Sequence, residues 1–225
     1  MSKSYIYLLI VNFLISKFVS LKLGQIVLVL MFIKYFIDMG VFSRTKFIKG
    51  IFHKSDIFYW EYIGEYKKLS DKFKKLGEIN SKYCFNKNLW NTIGFYYDDP
   101  KTTPPHKCRA IVGFQYIYPN ENSEEKSFFK NDLMEFMKNE GFKHKKINTT
   151  KCIIANYTHI NFLSIIFAIK KFYTNLEKKC NDPKFLNYFG IEKKEPKFTC
   201  TFEIYKEKNL EFGIPLENDD QFIFK

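Results

Sequence analysis

Between Tyr5 and Val41 the chain is almost wholly apolar, and its only charges there are Lys17, Lys22, Lys34 and Asp38. Tyr5–Ser16 reads YIYLLIVNFLIS and Ile26–Ile33 reads IVLVLMFI. A bilayer span needs about 20 mostly apolar residues. Leu23–Val41 meets that length if Lys34 snorkels to the interface, with Asp38 one turn on as its partner. Tyr5–Leu21 is a second candidate, and the break at Gly24 allows one interrupted span or a tight hairpin. No small-residue cleavage site succeeds the first apolar run, which argues against a secretory signal. Arg44, Lys46, Lys49 and Lys54 lie just beyond the stretch, whereas only Lys3 precedes it. The positive-inside bias therefore places the chain beyond residue 42 in the cytosol. Residues 1–42 are expected to form a transmembrane helical anchor that meets a lipid bilayer through residues 5–41, and residues 43–225 a separate domain. Two sequons, at Asn148 and Asn156, offer a test, because a lumenal domain is open to glycosylation and a cytosolic one is not.

Composition narrows the function of the rest. The chain has 225 residues, a formal net charge of +12 and 19% aromatics, so it is no disordered tail. Its positive charge is nearly all lysine: the only arginines are Arg44 and Arg109. Nucleic-acid readers lean on arginine's planar fork, and the lysines here are scattered among acids, so no nucleic-acid partner is expected. Five cysteines without a C-x-x-C pair fit neither a disulfide framework nor the usual zinc spacings. No Gly-rich phosphate loop or nucleotide fingerprint is present, and no cofactor is expected.

From about residue 48 short strands and helices alternate. Phe52–Tyr62 is aromatic and β-prone. Lys67–Leu76 carries Leu69, Phe73 and Leu76 at helical spacing. Thr92–Tyr97 and Cys108–Phe114 read as strands around a proline-rich loop, Asp98–His106. Phe128–Asn139 is a helix closed by Gly141. Lys151–Ile160 is a strand, Phe162–Lys179 the longest amphipathic helix, and Pro183–Phe189 a short extra one. Phe198–Tyr205 and Asn209–Pro215 form a hairpin. The order is that of an α+β domain built from a duplicated βαββ unit, with helices on one side of an antiparallel sheet and an open cleft between the halves.

The segment Gly94–Gly113 reads GFYYDDPKTTPPHKCRAIVG. Its frame of Tyr97, Asp98, Pro100, Pro104, Pro105, Lys107, Cys108, Arg109 and Gly113 resembles the GyrI-like (SHS2-type) small-molecule-binding superfamily. More closely it resembles that superfamily's membrane-anchored testis-expressed ER-phagy receptor family. Gly64-Glu65-Tyr66, Asn139–Lys143, Phe202–Tyr205 and Ile214–Leu216 match in order, so the likeness covers about residues 48–224. It implies a binding module on the endoplasmic reticulum membrane, facing the cytosol. That module would act as a receptor or adaptor in selective autophagy of the ER, with an autophagy ubiquitin-like protein as partner. The family's acidic tail, with its autophagy motif, is expected to be missing. Trp60–Ile63, Tyr66–Leu69 and Tyr188–Ile191 fit the motif's letters but fall within predicted structure. Two alternatives accompany this reading: a membrane-tethered small-molecule sensor and a GyrI-like hydrolase, both centred on Glu203.

Within that likeness Glu203 is the acid expected in an aromatic-lined cleft, where it would meet a small cationic or polar ligand. Strand alternation puts Thr201, Glu203 and Tyr205 on one face. A carboxylate among ring faces attracts cations, and desolvation raises its pKa. The aromatic wall is expected from Trp60, Tyr62, Tyr96 or Tyr97, and Tyr205, with Tyr97 preferred. Arg109, one of two arginines, suggests a need for a bidentate fork, with Asp98, Asp99 or Glu203 as partner. Cys108 and His106 make a poor nucleophile pair, since neighbours two apart share a face only if the loop has already straightened.

Overall fold

The computed structural model describes residues 3–18, 21–83, 89–118, 128–191, 198–217 and 219–224. Two helices open the chain, α1 (Lys3–Phe18) and α2 (Leu21–Asp38), packed against each other as a hairpin. The α1 helix is about 24 Å long at 1.5 Å per residue. The α2 helix is slightly longer but holds Lys22, Lys34 and Asp38, the last two ion-paired at 2.9 Å. Among the described residues no helix is long and apolar enough to cross a membrane. A hairpin is one of the two forms expected of residues 1–42, but the expected break at Gly24 is corrected, since α2 runs from Leu21 through Gly24, and the transmembrane span expected of this anchor is not found in either described helix.

Eight strands come next: β1 (Ile48–Phe52), β2 (Ser55–Ile63), β3 (Trp90–Tyr96), β4 (Arg109–Ile117), β5 (Lys143–Ile147), β6 (Thr150–Thr158), β7 (Thr201–Tyr205) and β8 (Asn209–Pro215). They form one antiparallel sheet in the order β1-β6-β8-β7-β3-β4-β2-β5. Helices α3 (Ser70–Tyr83), α4 (Phe128–Asn139), α5 (Phe162–Cys180) and α6 (Pro183–Phe189) lie between the strands in sequence. The first half runs β2-α3-β3-β4, the second β6-α5-α6-β7-β8. In each half the second strand lies at the centre of the sheet, so β3 pairs with β7 across the seam.

The connections force the sheet to curl. Strands β1 and β2 are first and seventh in the order yet are joined only by His53 and Lys54. In a flat sheet they would stand roughly 29 Å apart, whereas two linking residues reach about 11 Å. Strands β5 and β6 repeat the arrangement through Asn148 and Thr149. The sheet is therefore a half-barrel. Its concave side holds one cluster with Phe52 from one end, Ile147 from the other, and Ile93, Phe95 and Phe202 between them. Phe222 plugs it, edge-on to Phe52 at 5.4 Å. The other face carries the helices: Leu69, Leu76 and Met137 pack over the first half, and Ala168, Phe172 and Leu176 over the second.

Local sequence explains the helix ends. At the start of α5 the Asn161 side chain accepts from Ser164 N at 3.1 Å, and Ser164 Oγ accepts from Asn161 N at 3.2 Å, a capping box. Beyond α4, Gly141 adopts a left-handed φ of 78° and closes the helix, as its position predicts. Strands β1 and β5 are additions to the predicted order. The aromatic run expected to be one strand bends at His53, and KHKKI is a lysine-rich edge strand, a pattern that guards edges but reads as loop.

Candidate functional site

Strand β7 is central, and at its middle Glu203 faces the helix side, opposite Gly94 of β3 and Phe212 of β8. It is only 2% exposed. Its partners are tyrosine hydroxyls. Tyr173 of α5 donates to Oε1 at 3.0 Å, Tyr205 donates to Oε2, and the Tyr96 hydroxyl bonds to the same carboxyl. Tyr96 reaches it because residue 94 is glycine: a Cβ there would lie 3.0 Å from Tyr96 Oη. Thr201 Oγ1 lies 2.9 Å from Tyr173 Oη, and Phe73 of α3 packs edge-on against Tyr205 at 5.2 Å. The box thus sits at the seam between the halves, with α3 on one side and α5 on the other.

Burial pushes the Glu203 carboxyl up to about 7, although the hydrogen bonds from Tyr205, Tyr173 and Tyr96 pull against it. Burial and the neighbouring carboxylate hold Tyr96, Tyr173 and Tyr205 well above the usual phenol value, so they remain donors. A second buried acid gives the contrast. Burial pushes Asp56 up too, but His144 Nε2 at 2.9 Å, the Tyr118 hydroxyl and the nearby Lys146 more than offset it, and its carboxyl lies below the usual value. Asp56 has cationic company. The partners of Glu203 among the described residues are neutral.

Of the side chains expected at the site, Tyr205 and Glu203 meet, and Trp60, Tyr62, Tyr97 and Arg109 do not join them. Trp60 stacks on Phe142 at 4.2 Å and donates to Glu140 O at 3.3 Å. Tyr62 donates to Glu65 O at 2.8 Å. Tyr97 belongs to the concave side, where its hydroxyl donates to Phe222 O at 2.8 Å. The expected open cleft is corrected as well, since the tyrosines close over the carboxyl. Sequence reasoning passed over Tyr173, although Ile169, Tyr173 and Leu176 lie at helical spacing on α5.

Arg109 has the forked partner its rarity suggested. Nε and Nη2 donate to Asp98 Oδ2 and Oδ1 at 3.0 and 2.9 Å, and the Arg109 backbone N–H donates to Oδ2 at 2.7 Å. Hydrogen bonding from Arg109 holds Asp98 below its usual value. The Arg109 side chain is 62% exposed, so solvent screens the pair. Arg109→Lys is expected to lower the melting temperature by only about 1–2 °C. An unchanged melting curve would remove the reason for arginine here. Cys108 is buried, its thiol turned to Thr103 O and Pro104 O and pushed up by burial, which makes it a poor nucleophile. Among the described residues no group of three His, Cys, Asp or Glu side chains is placed to hold a metal.

No protein-family profile matches the chain. It is 25% identical over 151 residues to human Testis-expressed protein 264, covering 67% of this chain and 43% of that protein. The mouse homolog is 25% identical over 147 residues, covering 65% and 42%. The chain spans less than half the length of these relatives. Among solved structures, the C-terminal domain of EcmrR has a TM-score of 0.43 at 9% identity, covering 76% of this chain and 96% of that one. An integron cassette protein from Vibrio cholerae scores 0.43 at 12% identity, covering 76% and 97%. SAV2435 bound to tetraphenylphosphonium scores 0.42 at 7% identity, covering 77% and 94%.

Proposed function

We propose that this chain is a small-molecule-binding module of the GyrI-like type, with Glu203 as the seat for a lipophilic monocation. One observation carries the reading: a buried carboxylate among three tyrosines, with no cationic side chain among its described partners. Ionising such a group in the protein interior is costly unless a positive charge arrives. Tyrosine ring faces add to the attraction for a cation that sheds its water. The tyrosines and Phe73, which belong to different elements, have to part to admit it. The role is recognition, and the chemistry of the box asks for no catalytic step.

Isothermal titration with tetraphenylphosphonium tests this. The full chain is expected to bind more tightly as pH rises from 5.5 to 8, by about thirtyfold, as Glu203 ionises. Glu203→Gln is expected to bind on the order of tenfold to a hundredfold more weakly at pH 8 and to lose the pH dependence. Equal binding by both proteins would remove Glu203 from recognition. Turnover of an electrophilic substrate, abolished by the same substitution, would favour the hydrolase reading instead.

A second reading concerns where the module works. The α1–α2 hairpin exposes Leu9, Ile10, Phe13, Ile26, Val29, Leu30 and Phe32. So large an apolar surface is stable when embedded in the headgroup and acyl boundary of a membrane, without crossing it. A role as receptor or adaptor in turnover of the endoplasmic reticulum, with the domain facing the cytosol, rests on the family resemblance and on the partial likeness to Testis-expressed protein 264. Binding of an autophagy ubiquitin-like protein to the full chain supports that role. No binding, or glycosylation at Asn148 or Asn156 in cells, counts against it.

A further inference from the structure

Four large apolar side chains stand exposed around the start of α5: Ile160, Phe162, Leu163 and Ile166. The core has no use for them. Helix α5 packs inward through Ala168, Phe172 and Leu176, and its cap is made by Asn161 and Ser164. Phe162, in the first turn, is 70% exposed.

Their position relative to the hairpin is fixed by hydrogen bonds. Asn161 Nδ2 donates to Tyr35 Oη near the end of α2. Further along α5, Lys171 Nζ donates to Gly40 O and, at 2.9 Å, to Ser43 O. Asn175 Nδ2 then donates to Thr45 Oγ1 at 3.2 Å. Residues 35–45 thus run beside α5 in its own direction, and the hairpin departs from its N-terminal end. The four side chains form a collar at the hairpin's base.

We propose that this collar enters the same lipid surface as the hairpin and sets the tilt of the domain upon it; the inference rests on the reading of the hairpin as lipid-embedded. Two features favour lipid as the occupant. The collar is continuous with the apolar hairpin, which a membrane would cover as one surface. Its surroundings carry two exposed lysines against one exposed acid, Glu207. Lys170 is exposed on α5, and the exposed Lys208 sits in the β7–β8 turn, which His159 ties to the collar by donating from N to Lys208 O at 2.9 Å. The first turn of α5 contains no acid that an anionic leaflet would repel. Two apolar attachments, hairpin and collar, fix an orientation that a hairpin alone leaves free to swing.

The test uses the full chain on vesicles of phosphatidylcholine and phosphatidylserine, with and without brominated acyl chains that quench tryptophan on contact. Phe162→Trp is compared with Leu30→Trp, which reports on the hairpin, each against the parent with its own Trp60 and Trp90. Both positions are exposed, so neither substitution disturbs the core. Brominated lipid is expected to remove most of the emission added by either substitution and leave the parent's emission little changed. Quenching at Leu30→Trp alone would overturn the collar and leave the hairpin reading intact. Quenching at neither position would overturn both.

Discussion

In the pH range above 7, Glu203→Gln is expected to melt at a higher temperature than the parent chain, and near pH 5 at about the same one. The Glu203 carboxyl lies at about 7 in the folded chain against an ordinary value of 4.5. Between those values the folded state holds a proton that the unfolded chain has released. Stability therefore falls as pH rises from about 4.5 through 7, and is flat beyond. At 1.36 kcal/mol per pH unit, the loss amounts to at most about 3 kcal/mol. In a chain of this size that is on the order of 5–10 °C. Glutamine keeps an acceptor for the tyrosines and has no proton to lose. Asp56 and Asp98 act in the opposite sense, since lowered carboxyls lose their contribution only in acid, so the comparison belongs between pH 5 and 8. Parallel melting curves for the two proteins across that window would show that Glu203 ionises as freely folded as unfolded.

The second large effect lies on β4. Gly113→Ala is expected to prevent folding or to cost more than about 4 kcal/mol. A Cβ there would stand 1.9 Å from Phe58 O, a backbone atom of β2. Strand β4 is held between β2 and β3, opposite Tyr59 on one side and Ile93 on the other, so neither backbone can give way. Gly77→Ala is the control. A Cβ at residue 77 meets nothing within 4 Å in the interior of α3, and alanine there is expected to stabilise by about 0.5–1 kcal/mol. Urea unfolding of the two variants makes the comparison, and a soluble Gly113→Ala protein with the parent's midpoint would contradict the packing described for β4.

These cases show what the sequence exposes. The Gly94–Gly113 frame carries the family resemblance, yet most of its residues build structure: Arg109 clasps Asp98, Tyr97 anchors the chain end, and Gly113 lets two strands meet. Gly94 and Tyr96 serve the site, the glycine by leaving space for the tyrosine. The helices were legible because their apolar spacing is strong, and α4 lies where its pattern places it. Strand β5 was not, because its lysines answer to an edge and not to a core. Alternation identified the face of Glu203. The choice between Tyr96 and Tyr97 depended on the register of β3 against β7, a long-range pairing that local pattern does not encode. Tyr173 reaches the carboxyl from α5, 30 residues away in the sequence, and was hidden for the same reason. The apolar leader was read by composition, which does not show where a helix turns back.

The most direct measurement is an infrared titration of the Glu203 carboxyl, isolated by subtracting the Glu203→Gln spectrum, with and without tetraphenylphosphonium. In the free chain the protonated carboxyl is expected to disappear with a midpoint near 7, and with the cation bound well below it. A midpoint near 4.5 in the free chain, or one that the cation leaves in place, would contradict a buried carboxylate waiting for its counter-charge.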